Sequence, residues 1–313
     1  MTDRARDRRG REREGTTMTV TTASPLSTGY AMTESPRWHE GRLWFVDMHR
    51  RQVVAVDQAG RAEVIVDVPG QVGGLGWLPD GRLLVVAQDL RQILRLEPSG
   101  RLVVHADLSG TVPTLLNDMW VDAAGRAYVG EMGFDAHEWF DANSDVAASW
   151  FAGDVSVLDV PAKSRLFVVE PDGSWRVGAD DLVFSNGIVV DEEKRTLIVA
   201  ETFGARLSVF GLDADGSPRR RDLWPLGFYP DGIGLDGRGA VWVTDPVRKQ
   251  ARRIEYGGAE TGRVTTDQTC IGCAVGGEDG QTLFLCTSPT TEPEQALARL
   301  GSRIDTASVA GIA

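Results

Sequence analysis

The chain has 313 residues, 42% of them hydrophobic and 25% charged, which is the ordinary balance of a folded globular protein. A net charge of −12 sets it against nucleic acid and anionic membrane surfaces, and no apolar run approaches the roughly 18 residues needed to cross a bilayer. Three cysteines, an odd count with no secretory leader, argue against a disulfide framework and for a reducing, cytoplasmic setting.

Residues 1–17 hold six Arg, four acids and, Met1 aside, no large apolar residue. They read as a disordered tail, or as sequence upstream of a true start at Met18. The tail nets +2 and the remainder −14, so a nucleic-acid arm is disfavoured. Residues 18–313 are expected to form one domain. Within it one phrase recurs six times: HEGRLWFVD (39–47), PDGRLLVVA (79–87), AAGRAYVG (123–130), EEKRTLIVA (192–200), GRGAVWVT (237–244) and EDGQTLFLC (278–286). Each is a polar turn followed by a β-favouring apolar run.

The spacing is 40 residues from Leu43 to Leu83, 44 from Leu83 to Ala127, 44 from Thr196 to Ala240 and 42 from Ala240 to Thr282. Such a period fits a four-stranded propeller blade. Blade 1 reads as strands near 35–38, 42–47, 52–57 and 62–67. The fold predicted is all-β, a six-bladed β-propeller; a β-sandwich would not repeat one phrase six times. The interval from Ala127 to Thr196 is 69 residues, which places a lid-like insertion at 131–164, rich in aromatics and carrying His137. The sixth unit supplies strands near 270–275, 282–286 and 303–309, one short of four, so a strand from 19–33 is expected to complete it. Cys270 and Cys273 form a C-x-x-C pair with no second pair, readable as packing thiols beside the channel or as a redox or ligand pair.

In a propeller the innermost strand of every blade runs along the central channel, and the six strand starts crowd one end. Here those starts are Glu34, Gly74, Asn117, Asn186, Asp231 and Gly272. Two carboxylates and two amide oxygens make an oxygen-only set suited to Ca²⁺, or to Mg²⁺ or Mn²⁺, better than to zinc. The N-D, N-G and D-G pairs at three of these starts are also turn formers. The loops after the second strands roof the same end, making Gln88, Glu131, Glu201 and Asp245 candidates for substrate or supporting contacts.

The motifs ESPRW, NDMWVD, SNGIVVD with VAETF, and YPDGIGLD with VWVTD resemble the regucalcin (senescence marker protein) and gluconolactonase family, related to calcium-dependent phosphotriesterases. The resemblance covers nearly all of residues 28–313. It implies one divalent metal in the channel, held by Glu34, Asn186 and Asp231, with Asn117 ligating the metal or contacting substrate. Sugar-lactone members carry an Arg two residues before that asparagine, where it binds substrate hydroxyls. Here the position is Leu115.

The activity expected is metal-dependent opening of a lactone less polar than gluconolactone, with Asp231 as the base and a small-molecule substrate touching Leu115, Asn117, Glu131, Glu201 and His137. Calcium is the first choice of ion, with Mg, Mn or Zn as alternatives. A phosphotriesterase, or a calcium- or small-molecule-binding propeller without turnover, stands as the alternative. Oligomeric state is not legible.

Overall fold

The repeated turn-plus-strand phrase folds as a hairpin, and its turn chemistry explains the recurring glycine. Gly41 and Gly239 sit at φ +76° and +78°, a left-handed region that costs glycine little. The fourth copy has no glycine, and Arg195 takes the left-handed position instead, at φ +48°. The computed structural model describes residues 19–154 and 158–312; the expectation for residues 1–17 lies outside them.

Six antiparallel sheets follow one another around a channel; five hold four consecutive strands, one of these being extended by a fifth, and the last joins three consecutive strands to one from the N-terminus. In blade 1 the strands are Thr33–His39, Arg42–Asp47, Gln52–Val56 and Ala62–Asp67, running from the channel outward. The inner strands of the other blades are Val72–Trp77, Leu116–Val121, Ser185–Asp191, Ile233–Leu235 and Thr269–Gly276. Apolar side chains from neighbouring blades interlock between the sheets, as where Leu84 and Val86 of blade 2 meet Met119 and Ala127 of blade 3. Trp44 and Trp77 join blades 1 and 2 edge to face, 5.4 Å apart.

Ring closure uses the N-terminal segment. The strand Ser24–Tyr30 pairs antiparallel with Ser302–Ser308 and becomes the outer strand of blade 6. Blade 1 is then tied to that blade where Thr33 N donates to Ser302 Oγ at 2.9 Å. The preceding strand, Thr19–Thr22, was not expected. It adds in parallel to Glu260–Thr265 as a fifth strand of blade 5, so one stretch of chain covers the edges of two sheets.

The insertion lies between Ala127–Glu131 and Ser164–Val169 and carries two short helices, Ala136–Ala142 and Ser144–Phe151. Asp135 caps the first, accepting from His137 N and Glu138 N. The three cysteines are buried and unbonded. Cys273 Sγ faces the carbonyls of Gly232 and Trp242, consistent with a packing thiol.

Candidate functional site

Five of the six inner strands are irregular at the same place. Pairing with the second strand skips between Glu34 and Arg37, Val72 and Leu75, Leu116 and Met119, Ser185 and Ile188, and Cys270 and Gly272. A bulge at each start re-aims the side chains there. The fifth inner strand is short and begins two residues after Asp231. At the first bulge Ser35 adopts φ +48°, unusual for a residue with a side chain, and its N–H donates to Glu34 Oε2.

Blades approach most closely at the glycines of these starts. A Cβ on Gly232 would lie 2.7 Å from Gly272 Cα, and one on Gly74 would lie 2.7 Å from Asp118 Oδ1. Only glycine allows both approaches, which explains the G of PDG. The backbone follows: Gly187 N donates to Asp231 O, and Gly232 N donates to Ile271 O. Blades 4, 5 and 6 are thus knitted together around Asp231.

Glu34 is buried, and burial together with the Asp118 charge pushes its pKa up to about 7, against the Ser35 N–H and the Arg37 cation. Asp231 is only partly buried, yet desolvation raises its pKa well above the usual carboxylate range. The Glu34 charge adds to that rise, and a hydrogen bond from Asn186 opposes it. Among the described residues neither carboxylate forms an ion pair, while the acidic residues around them repel one another. The nearest cation, Arg37, is already bonded to Asp118 at 2.8 Å.

The amides sit beside them. Asn117 Nδ2 donates to Ser185 O at 2.9 Å, and its Oδ1 accepts from Gln88 Nε2 at 3.3 Å. Asn186 Nδ2 donates to Thr202 Oγ1 at 3.1 Å. Among the described residues Ser185 Oγ and Gln88 Oε1 are buried without a partner, so the polar layer has unused capacity. Two desolvated, mutually repelling carboxylates with amide oxygens close by fit a hard divalent cation, whose charge would relieve the repulsion. Among the described residues no three His, Cys, Asp or Glu side chains cluster, so such an ion would depend on the amide oxygens, a poor match to zinc.

Other expected contacts are placed elsewhere. Glu131 is bound by Arg165 through both oxygens, at 2.5 and 3.2 Å. Glu201 is fully buried, accepting from Val183 N and Ser208 Oγ and pairing with Arg206. Both carboxylates are used inside their own blades and face arginine rather than an open channel. His137 is exposed on the insertion, 3.7 Å from Glu292. Leu115 is half-buried, and its carbonyl accepts from Met132 N at the start of the insertion. Asp118 and Arg37 were not singled out from the sequence, although NDMWVD and ESPRW contain them.

The insertion reaches across the same end of the ring. Phe134 and Trp139 pack on Phe184 and Phe203 of blade 4, and Trp150 stacks on Tyr229 of blade 5 at 5.7 Å. Tyr229 Oη donates to Asp154 O, and Arg248 donates to Gly153 O. With His137 beside Glu292 of blade 6, one loop from blade 3 touches three other blades. The aromatic cluster adjoins the amide layer, since Phe184 precedes Ser185 and Phe203 follows Thr202.

The fold has counterparts. A regucalcin from Agrobacterium tumefaciens, described as a calcium-binding protein, superposes with TM-score 0.70 at 18% identity, over 93% of this chain and 95% of that one. A gluconolactonase from Xanthomonas campestris gives 0.68 at 20% identity, over 90% and 87%. A luciferin-regenerating enzyme gives 0.72 at 16%, over 91% and 94%. Identities this low establish the shared fold. The family itself follows from residues 32–289, which match the SMP-30/gluconolactonase/LRE-like region; with that match spanning most of the propeller, the chain belongs to this family.

Proposed function

We propose that the protein is a divalent-metal-dependent hydrolase that opens a lactone, with calcium as the ion and a substrate less polar than gluconolactone. The observation that carries this reading is the juxtaposition of Glu34 and Asp231. They are two desolvated carboxylates in one channel, with raised pKa values, and among the described residues neither has a counter-ion. Leaving such a pair uncompensated is costly, and function is the common reason for retaining it. Glu34, Asp231 and Asn186 would hold the cation, with Asn117 as a further ligand or a substrate contact.

A bound divalent cation supplies Lewis acidity toward a carbonyl oxygen and lowers the pKa of water. The chain supplies the rest. Asp231, only partly buried, is the proton acceptor for an attacking water. Gln88 and Ser185 fix the orientation of the Asn117 amide. The aromatic insertion excludes water above these groups, and Leu115 offers no hydrogen bond to a sugar hydroxyl. An unpaired buried hydroxyl costs about 1–3 kcal/mol, whereas apolar ring surface gains roughly 25 cal/mol per Å² on burial.

The test is a panel of sugar, alkyl and aryl lactones assayed with chelator-treated protein before and after calcium is restored. Hydrolysis is expected to require the ion and to favour the apolar lactones in kcat/KM. Calcium binding with no turnover across the panel would make this a binding protein. Tenfold or greater preference for gluconolactone would overturn the substrate assignment.

A further inference from the structure

The bulges bring the inner strands into register with one another. In blades 2, 3 and 4 the residues skipped by the ladder are Gly73 and Gly74, Asn117 and Asp118, and Asn186 and Gly187. In blade 6 the skipped residue is Ile271, followed by Gly272. The second members of these pairs meet around the ring. A Cβ on Gly187 would lie 2.9 Å from Gly232 C, one on Gly232 2.7 Å from Gly272 Cα, and one on Gly272 2.8 Å from Pro36 Cδ. The matching first members are therefore Gly73, Asn117, Asn186, Asp231 and Ile271. Blade 1 has Ser35 at this position, with Glu34 one residue earlier. The strand starts read from the sequence at Gly74 and Gly272 thus move by one residue, to Gly73 and Ile271.

Asn117, Asn186 and Asp231 each present an oxygen at this position. Gly73 offers neither ligand nor bulk, and Ile271 offers bulk without a ligand. Ile271 also stands between the two carboxylates. Gly232 N, next to Asp231, donates to Ile271 O at 2.8 Å. On the other side, a Cβ on the adjacent Gly272 would lie 3.4 Å from Glu34 Oε2. The Ile271 side chain is buried against Met32 and Met48, which are joined by a Met48 N to Met32 O bond at 2.8 Å. This apolar trio runs from blade 6 onto blade 1, the blade that bears Glu34. Across the ring, the aromatic insertion packs on Phe184 and Phe203 of blade 4. The arc between, at blades 2 and 3, presents the bare Gly73 and the Asn117 amide.

We propose that Ile271 is a positioning residue of the ion site: it withholds a ligand on blade 6 and keeps water out of the arc between Glu34 and Asp231, so that the open coordination positions of the ion face Gly73 and Asn117. The inference rests on the metal-dependent reading above. Calcium takes about six to eight oxygens, more than four side chains supply, so water and substrate fill the remainder. An apolar side chain can neither ligate nor hydrogen-bond, and it holds its arc dry. The substrate carbonyl then enters over blades 2 and 3, beside Asn117. Its oxygen gains negative charge during attack, and on that side it avoids the space between two carboxylates, which would repel it.

Two probes are titrated into the chelator-treated full chain. Calcium gives a calorimetric Kd. Terbium, a luminescent stand-in for calcium, counts the water on the ion through its emission lifetimes in water and in heavy water. Ile271→Ala should admit about one more water than the wild type holds. Ile271→Asn restores the amide that blades 3 and 4 carry, and should tighten calcium about fivefold or more with no gain in water. Ile271→Val should leave both readings at wild-type values. The Ala and Asn variants are independent, so either one that folds by far-UV circular dichroism decides. An unchanged water count in Ile271→Ala, or calcium bound no more tightly by Ile271→Asn, would overturn the role of Ile271 and leave the metal centre standing. Wild-type protein that binds neither ion would overturn the metal centre, and the role of Ile271 with it.

Discussion

Glu34→Gln should stabilise the metal-free protein while removing its response to calcium. The carboxyl of Glu34 moves from an ordinary 4.5 to about 7 on folding, chiefly because it is buried. The unfolded chain therefore releases this proton at lower pH than the folded one does. Below the unfolded value both states are protonated and nothing is lost. As pH rises through the folded value the native state must carry a buried charge, and stability falls. The full penalty is the free-energy equivalent of the displacement, roughly 3 kcal/mol as a ceiling. Gln keeps the shape without the charge, and it removes the Glu34 contribution to the raised pKa of Asp231 as well. The assay is urea unfolding of chelator-treated wild type and variant at a series of pH values from about 4 to 8. The two curves should coincide near pH 4 and diverge upward, with the variant ahead by as much as roughly 3 kcal/mol near pH 8. With saturating calcium the order should reverse, because the wild type gains binding energy that the variant lacks. A variant no more stable than wild type at pH 8 without metal would refute the placement of an uncompensated buried charge at Glu34.

Asp231→Ala should cost more calcium affinity than Asn186→Ala, since the first removes charge and the second a neutral oxygen; calorimetric Kd values check the order. Leu115→Arg should shift kcat/KM toward gluconolactone by adding donors beside Asn117, read on the same lactone panel. Removal of residues 1–17 should leave Tm unchanged. Removal of 1–33 takes away the outer strand of blade 6 and the fifth strand of blade 5 together and should abolish folding, as circular dichroism would show.

The ring was legible because its signal is local and repeated. A turn followed by an apolar run needs only neighbouring residues, and six copies, at nearly one spacing in all but one interval, leave little but a propeller. The N-terminal closing strand followed from counting, since the sixth unit lacked one. The parallel strand Thr19–Thr22 carried no comparable signal, because its partner Glu260–Thr265 lies far along the chain. Glu34, Asn117, Asn186 and Asp231 could be aligned as strand starts, but the bulges that turn the first three were not visible, being a mismatch between two strands rather than a property of either. Arg37 and Asp118 stand inside the motifs and were passed over because their pairing joins residues 81 apart. Glu131 and Glu201 looked available for the opposite reason. Their occupation by Arg165 and Arg206 is fixed by the neighbouring third strand, and a strand-end carboxylate reads the same in sequence whether it is paired or free.

The most direct measurement is calorimetric titration of calcium into chelator-treated protein, run near neutral pH in two buffers of different ionisation enthalpy. A cation held between Glu34 and Asp231 predicts one ion per chain and release of protons, since at least one of these carboxyls is partly protonated without metal. The same titration of Asp231→Ala should show binding weakened or lost. Wild-type protein that takes up no calcium, or binds it equally well after Asp231→Ala, would contradict the metal centre and the hydrolytic reading built on it.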